Sequence, residues 1–122
     1  MSDLYILDDE NRPVPVEDPL EWAKWLQENR AREVVKLDQI ARYFVSTRFM
    51  GMDMDIRGAV LAMMGETTRT RPPLVFETHA RDTSRSPGDP GFLIEQERCS
   101  TWKEAEEQHA EVVRRVKILA SG

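Results

Sequence analysis

The chain holds one cysteine, two histidines and six glycines among 122 residues, and no apolar run approaches the length that spans a bilayer. Each shortage excludes something. Cys99 has no partner for an internal disulfide, which fits a reducing cytoplasm. His79 and His109 lie far apart, whereas metal sites draw on clustered ligands such as paired cysteines or histidines one helical turn apart. Glu77 and His79 share a strand face, but two ligands are too few, so no metal and no cofactor is expected. Gly51, Gly58 and Gly65 are scattered and lack the strand-to-helix context of a phosphate loop, and no Gly-x-Ser-x-Gly elbow occurs. The start, Met1-Ser2-Asp3-Leu4, lacks the basic opening of a signal peptide.

Size and charge define what is there. A chain of this length reads as one domain, residues 1–122, able to remove roughly two-thirds of its unfolded surface from water. The net charge is −5, and residues 1–30 account for all of it with eight acidic and three basic side chains. That balance argues against general nucleic-acid binding, which draws on a net basic footprint. No membrane association is expected either.

Methionine is concentrated. All five methionines after the first, Met50, Met52, Met54, Met63 and Met64, fall in one short stretch. Methionine is flexible and polarizable, and is over-used on surfaces that accept partners. From Asp55 to Gly65 the residues Ile56, Val60, Leu61, Met63 and Met64 recur at helical spacing, with Asp55 as cap and Gly65 as terminator. The expectation is a Met-rich helical insertion at about 54–71. Its apolar stripe is either packed on the domain's own sheet or offered to a second copy or a protein partner, as a helix laid in a groove.

The rest reads as helix, strands, strands, helix. Residues 4–7, around the apolar run Tyr5-Ile6-Leu7, read as an edge strand, and Pro13 and Pro15 keep the following chain extended. Asp18-Pro19 starts a helix to about Arg30, with Leu20, Trp22, Ala23 and Leu26 on its buried stripe and the tryptophans anchoring it to a sheet. A short strand over 33–37 is followed by a turn at Asp38-Gln39. Clean alternation then places Ala41, Tyr43, Val45, Thr47 and Phe49 on one face of the next strand. Strands at 74–79 and 92–97 flank a long Ser/Pro/Gly/Asp loop. Thr101 and Glu104 form a capping box for a final helix that buries Trp102, Ala105, His109, Val112, Val113 and Val116. With no strand–helix–strand crossover, the fold class is α+β. It is a two-layer domain, with an antiparallel meander of about four strands and the N- and C-terminal helices on one face.

These segments resemble pieces of a group of small uncharacterised proteins common in phage and prophage genomes of bacteria. The likeness runs through Tyr5-Ile6-Leu7-Asp8, Leu20-x-Trp22-Ala23-x-Trp25, Val45-Ser46-Thr47-x-Phe49-x-Gly51-x-Asp53, Pro72-Pro73-Leu74-x-Phe76-Glu77-Thr78 and Ser100-Thr101-Trp102-x-Glu104-Ala105 with His109. The chain departs from it between Met54 and Arg71, where the insertion replaces a shorter turn. The group has no assigned activity, so the resemblance implies a context, an accessory protein inside a bacterial host cell, and no catalytic residue.

Three function classes follow. The first is a non-enzymatic protein-interaction module, an inhibitor of a host or defence protein in that context, which docks a partner or a second copy through Ile56, Val60, Leu61, Met63 and Met64. The second is a small-ligand or nucleotide binder. It would use Arg42, Arg48, His79 and Arg81 around Phe44, Val75 and Leu93 on the polar sheet face, because cations around an aromatic platform hold anions with a planar ring. Glu77, Glu95 and Glu97 are expected on the same face, neutralising it. The third is a cysteine-dependent enzyme, with Cys99 at a helix start and His79 as base. A lone cysteine is more often a small buried hydrophobe. His109 is expected to be a core-edge histidine with one satisfied ring nitrogen.

Overall fold

The computed structural model describes residues 3–53 and 72–122. The elements are β1 (Tyr5–Leu7), β2 (Pro13–Pro15), α1 (Pro19–Glu28), α2 (Arg30–Glu33), β3 (Val34–Ile40), β4 (Tyr43–Phe49), β5 (Phe76–Asp82), β6 (Leu93–Cys99) and α3 (Trp102–Ser121). The last four strands form one antiparallel sheet in the order β3-β4-β5-β6, and β1 pairs with β2 in a separate ribbon. The fold is α+β, with the C-terminal helix packed on the sheet. The insertion at 54–71, with Ile56, Val60, Leu61, Met63 and Met64, lies outside the described residues.

Alternation decides which face α3 covers. Tyr43, Val45, Thr47 and Phe49 of β4 are buried, as are Phe76, Thr78 and Ala80 of β5. From α3, Ala105, His109, Val112 and Val116 meet them, spaced at helical period along one stripe. The capping box forms as the sequence predicts: Glu104 N–H donates to Thr101 Oγ1 at 3.1 Å, and Glu104 Oε1 accepts from Thr101 N–H at 3.1 Å.

The N-terminal part joins at one end of the same face. Phe49 meets Trp25 edge-on at 6.0 Å and Phe76 at 5.3 Å, and Phe76 meets Trp102 edge-on at 6.0 Å. These rings close the core around Leu7, Val75 and Ala105. Gly51, just past β4, holds the seam. Its carbonyl accepts from both Tyr5 N–H and Trp22 Nε1–H at 2.8 Å. Its φ of +72° lies in the left-handed region, and a Cβ there would crowd Trp22 Nε1 at 3.0 Å and Leu26 Cδ2 at 3.1 Å.

Four sequence expectations change. The first helix stops at Glu28, and its inner side is Trp22, Trp25 and Leu26, all half-buried; Leu20 is 81 % exposed and Ala23 is exposed too. Large rings reach the sheet from further away than Leu or Ala, so they set the helix's rotation. The β3–β4 turn falls at Ala41-Arg42, not Asp38-Gln39, and Ala41 adopts φ 51°. An L-residue there is strained, so sequence chemistry pointed elsewhere. The third strand pair begins later, at Phe76 and Leu93, because 72–75 enters as an extended approach in which Val75 is fully buried. His109 has both ring nitrogens bonded, not one.

Candidate functional site

The sheet face away from α3 is the one broad surface that the described secondary structure leaves without a covering helix. Cross-strand register fixes its occupants. Leu37 sits beside Ser46, which sits beside His79, which sits beside Gln96; Gln39, Phe44, Arg81 and Leu93 form a second row, and Arg48, Glu77 and Arg98 a third. Leu37 and Leu93 are 44 % and 45 % exposed.

Glu77 is the buried anchor of this face. It lies 5 % exposed and accepts from Arg98 Nε–H at 2.7 Å and Gln96 Nε2–H at 3.3 Å, with the His79 ring against its other oxygen. Burial pushes its carboxyl up, but the Arg98 hydrogen bond, His79 and Gln96 outweigh that and hold it below the ordinary glutamate value. At the turn end, Arg81 lies over the Phe44 ring at 4.9 Å, worth about 0.5–1 kcal/mol in so exposed a setting. Arg81 is exposed, and a guanidinium is a fork of donors suited to anions. Arg48 points to solvent near Glu33, whose carboxyl burial pushes up against the pull of Arg30 and Arg48.

Of the five residues proposed for this surface, Phe44, Arg48, His79 and Arg81 share it and Arg42 does not. Arg42 sits in the β3–β4 turn, 3.2 Å from Asp82 Oδ2 and over the Tyr43 ring at 5.1 Å. Nor does Val75 line the surface, since it is core. The expected neutralisation by Glu95 and Glu97 fails as well. Both carboxylates lie on the α3 side, at 3.5 Å and 2.6 Å from Arg115. Both pair in regular register with helix-facing residues, Glu97 with Thr78 and Glu95 with Ala80, and the edge position of β6 leaves them partial access to water. Arg98 and Gln96 take the outward places instead; counting back from the Thr101 cap through Cys99, whose neighbours on the helix side are apolar, would have found them. The face therefore carries Arg48, Arg81 and Arg98 against Glu77, with Glu33 at one margin.

Cys99 is poorly placed to act as a nucleophile. Cys99 is half-buried, and burial together with Glu104 and Glu97 pushes its thiol up to about 11, the opposite of an activated nucleophile. His79 is engaged by Glu77, at the other face from Cys99. On the helix side, His109 lies between Asp38 Oδ2 and Thr47 Oγ1, each 2.7 Å away, an Asp–His–Thr alignment. Thr47 is 0 % exposed, so no substrate reaches its hydroxyl. Among the described residues, no three of His, Cys, Asp and Glu gather as a metal site, and no helix is long and apolar enough to cross a membrane. An open groove of about 430 Å³ runs along Trp22, Ala23, Leu26, Gln27, Arg30 and Glu33, mixing apolar and charged walls.

Fold and surface define a class, a small α+β domain with one face of its sheet covered by a helix and the other presenting arginines and an aromatic ring. No protein-family model matches the chain, and no curated protein or solved structure matches it.

Proposed function

We propose that this chain is a non-enzymatic binding module that docks an acidic partner protein on the open face of its sheet, in the phage-related, host-cell setting its sequence resembles. The observation that supports it most is the sorting of charge. In a chain of net charge −5, Arg48, Arg81 and Arg98 collect on one face while Glu95 and Glu97 are drawn to the other by Arg115. Leu37, Phe44 and Leu93 supply apolar contact between the cations, the mixture that interfaces use. The methionine-rich stretch, with Ile56, Val60, Leu61, Met63 and Met64, supplies a second apolar element for self-association or for the same partner.

The test is capture from bacterial lysate by the intact protein and by an Arg48→Glu/Arg81→Glu variant, in low and moderate salt. The reading holds if an acidic protein is retained by the wild type, lost with the variant and weakened by salt. It fails if charge reversal leaves capture unchanged. Light scattering on a Met63→Asp/Met64→Asp variant reads the second element: an unchanged mass and unchanged capture remove it.

A second reading, a nucleotide or small-anion binder, is favoured by the Arg81–Phe44 stack alone. Nucleoside triphosphates that raise the melting temperature of the wild type but not of Phe44→Ala would select it. No shift across the panel discards it.

A further inference from the structure

We infer that the Asp38–His109–Thr47 alignment is a one-way chain of hydrogen-bond donors leading out of a doubly protonated His109, so that it fastens β3 to α3 and is polarised against activating Thr47. The polarity is read backwards from the far end. Gln108, one residue before His109, places one end of its amide 3.2 Å from the backbone carbonyl of Arg98 and the other 3.1 Å from Thr78 Oγ1. A carbonyl oxygen only accepts, so the end at Arg98 is the NH2 group and the end at Thr78 is the amide oxygen. Thr78 must then donate to Gln108. Its single hydroxyl hydrogen is spent there, so the 2.7 Å contact with Thr47 is made by the Thr47 hydroxyl donating to Thr78. Thr47 in turn has no hydrogen left for His109, so the 2.7 Å contact is made by Nδ1–H donating to Thr47.

The remaining nitrogen faces Asp38. Nε2 lies 2.7 Å from Asp38 Oδ2, and a hydrogen must occupy that bond too. Asp38 meets it with a carboxylate oxygen, which accepts, so Nε2–H donates there. Every member then has a partner: Asp38 and the Arg98 carbonyl accept, and His109, Thr47, Thr78 and Gln108 each donate onward. Buried networks of this kind are stable only when fully satisfied, and this one is.

The consequence is chemical. In an Asp–His–hydroxyl triad the imidazole takes the hydroxyl's hydrogen. Here the imidazole gives one, and Thr47 cannot be made a nucleophile through it. The device instead ties edge strand β3, through Asp38, to the helix and to both central strands.

Ring-labelled nitrogen NMR reads this directly. In the folded wild type, both His109 nitrogens are expected to show a bonded, slowly exchanging hydrogen, with the half-exposed His79 as internal reference. An Nδ1 without hydrogen overturns the inference. Gln108→Leu removes the acceptor that sets the direction, frees Thr78 to donate back to Thr47, and is expected to strip the hydrogen from Nδ1. Gln108→Glu, whose carboxylate only accepts, is expected to keep it. An Nδ1 hydrogen that persists in Gln108→Leu, or vanishes in Gln108→Glu, refutes the role given to Gln108. The wild-type spectrum decides the polarity even where a variant fails to fold.

Discussion

Glu77→Gln is the most informative single change on the open face. The carboxylate is almost wholly buried and receives Arg98, Gln96 and His79. The glutamine keeps the shape and one acceptor but loses the charge. A hydrogen bond to a charged group is worth about 1.5–3 kcal/mol, and breaking a fully buried ion pair costs about 3–5 kcal/mol. Arg98 keeps 26 % of its side chain in water, so part of its charge is solvated either way. The expected loss is therefore near the lower range, about 2 kcal/mol. With an unfolding entropy of about 2.1 cal/mol/K per residue, a chain of this length has about 0.26 kcal/mol/K, and the melting temperature falls by about 8 °C. The sign with pH follows from the depressed carboxyl. Its folded value lies below the ordinary 4.5, so its contribution is present above that value and disappears as the pH falls through the folded one. The gap between wild type and variant should narrow as the pH falls below the ordinary glutamate value, read by urea melts at neutral pH and through the acid range. A gap that is the same throughout, or under about 0.5 kcal/mol at neutral pH, refutes the account of Glu77 as the anchor of the face. The same variant leaves Arg98 uncompensated and should bind acidic partners more tightly.

Other expectations are compact. Phe49→Ala empties the centre of the ring chain from Trp25 to Trp102 and should cost about 3–5 kcal/mol in denaturant melts, with a change in tryptophan emission; a loss under about 1 kcal/mol would mean that α1 is not held by that contact. Gly51→Ala forces a Cβ to about 3.0 Å from Trp22 Nε1 at a φ of +72° and should cost at least about 1–2 kcal/mol; a neutral result in melts would break the seam argument. Ala41→Gly relieves the positive φ of the β3–β4 turn and should be neutral or stabilising by up to about 1 kcal/mol, whereas Asp38→Gly, at the turn position the sequence suggested, should destabilise. Cys99 should resist alkylation near neutral pH and react only once the protein unfolds, followed by mass spectrometry.

Much of the architecture was legible before any coordinate. Alternation along Tyr43–Phe49, the Asp18-Pro19 start and the Thr101/Glu104 box are local patterns, and local physics enforces them. The β3–β4 turn was not legible, because Ala41 carries no turn chemistry and its strain is borne by the pairing on both sides. The candidate surface was half legible. Phe44, Arg48, His79 and Arg81 follow from period two within single strands. Which acids accompany them depends on the phase of β6 and on an arginine from a helix that comes later in the chain.

By itself, then, the order of residues determined the types of the main described elements and the buried stripe of the last helix, since these rest on patterns within a few positions of the chain, and the absence of crossovers pointed to the α+β class. Only the tertiary structure decided that Arg115 reaches the acids of β6, why Arg42 leaves the surface, and that Asp38, Thr47, Thr78, Gln108 and His109 meet. Those outcomes depend on side chains distant in sequence competing for one another's charges and hydrogens, and a linear pattern does not record who wins.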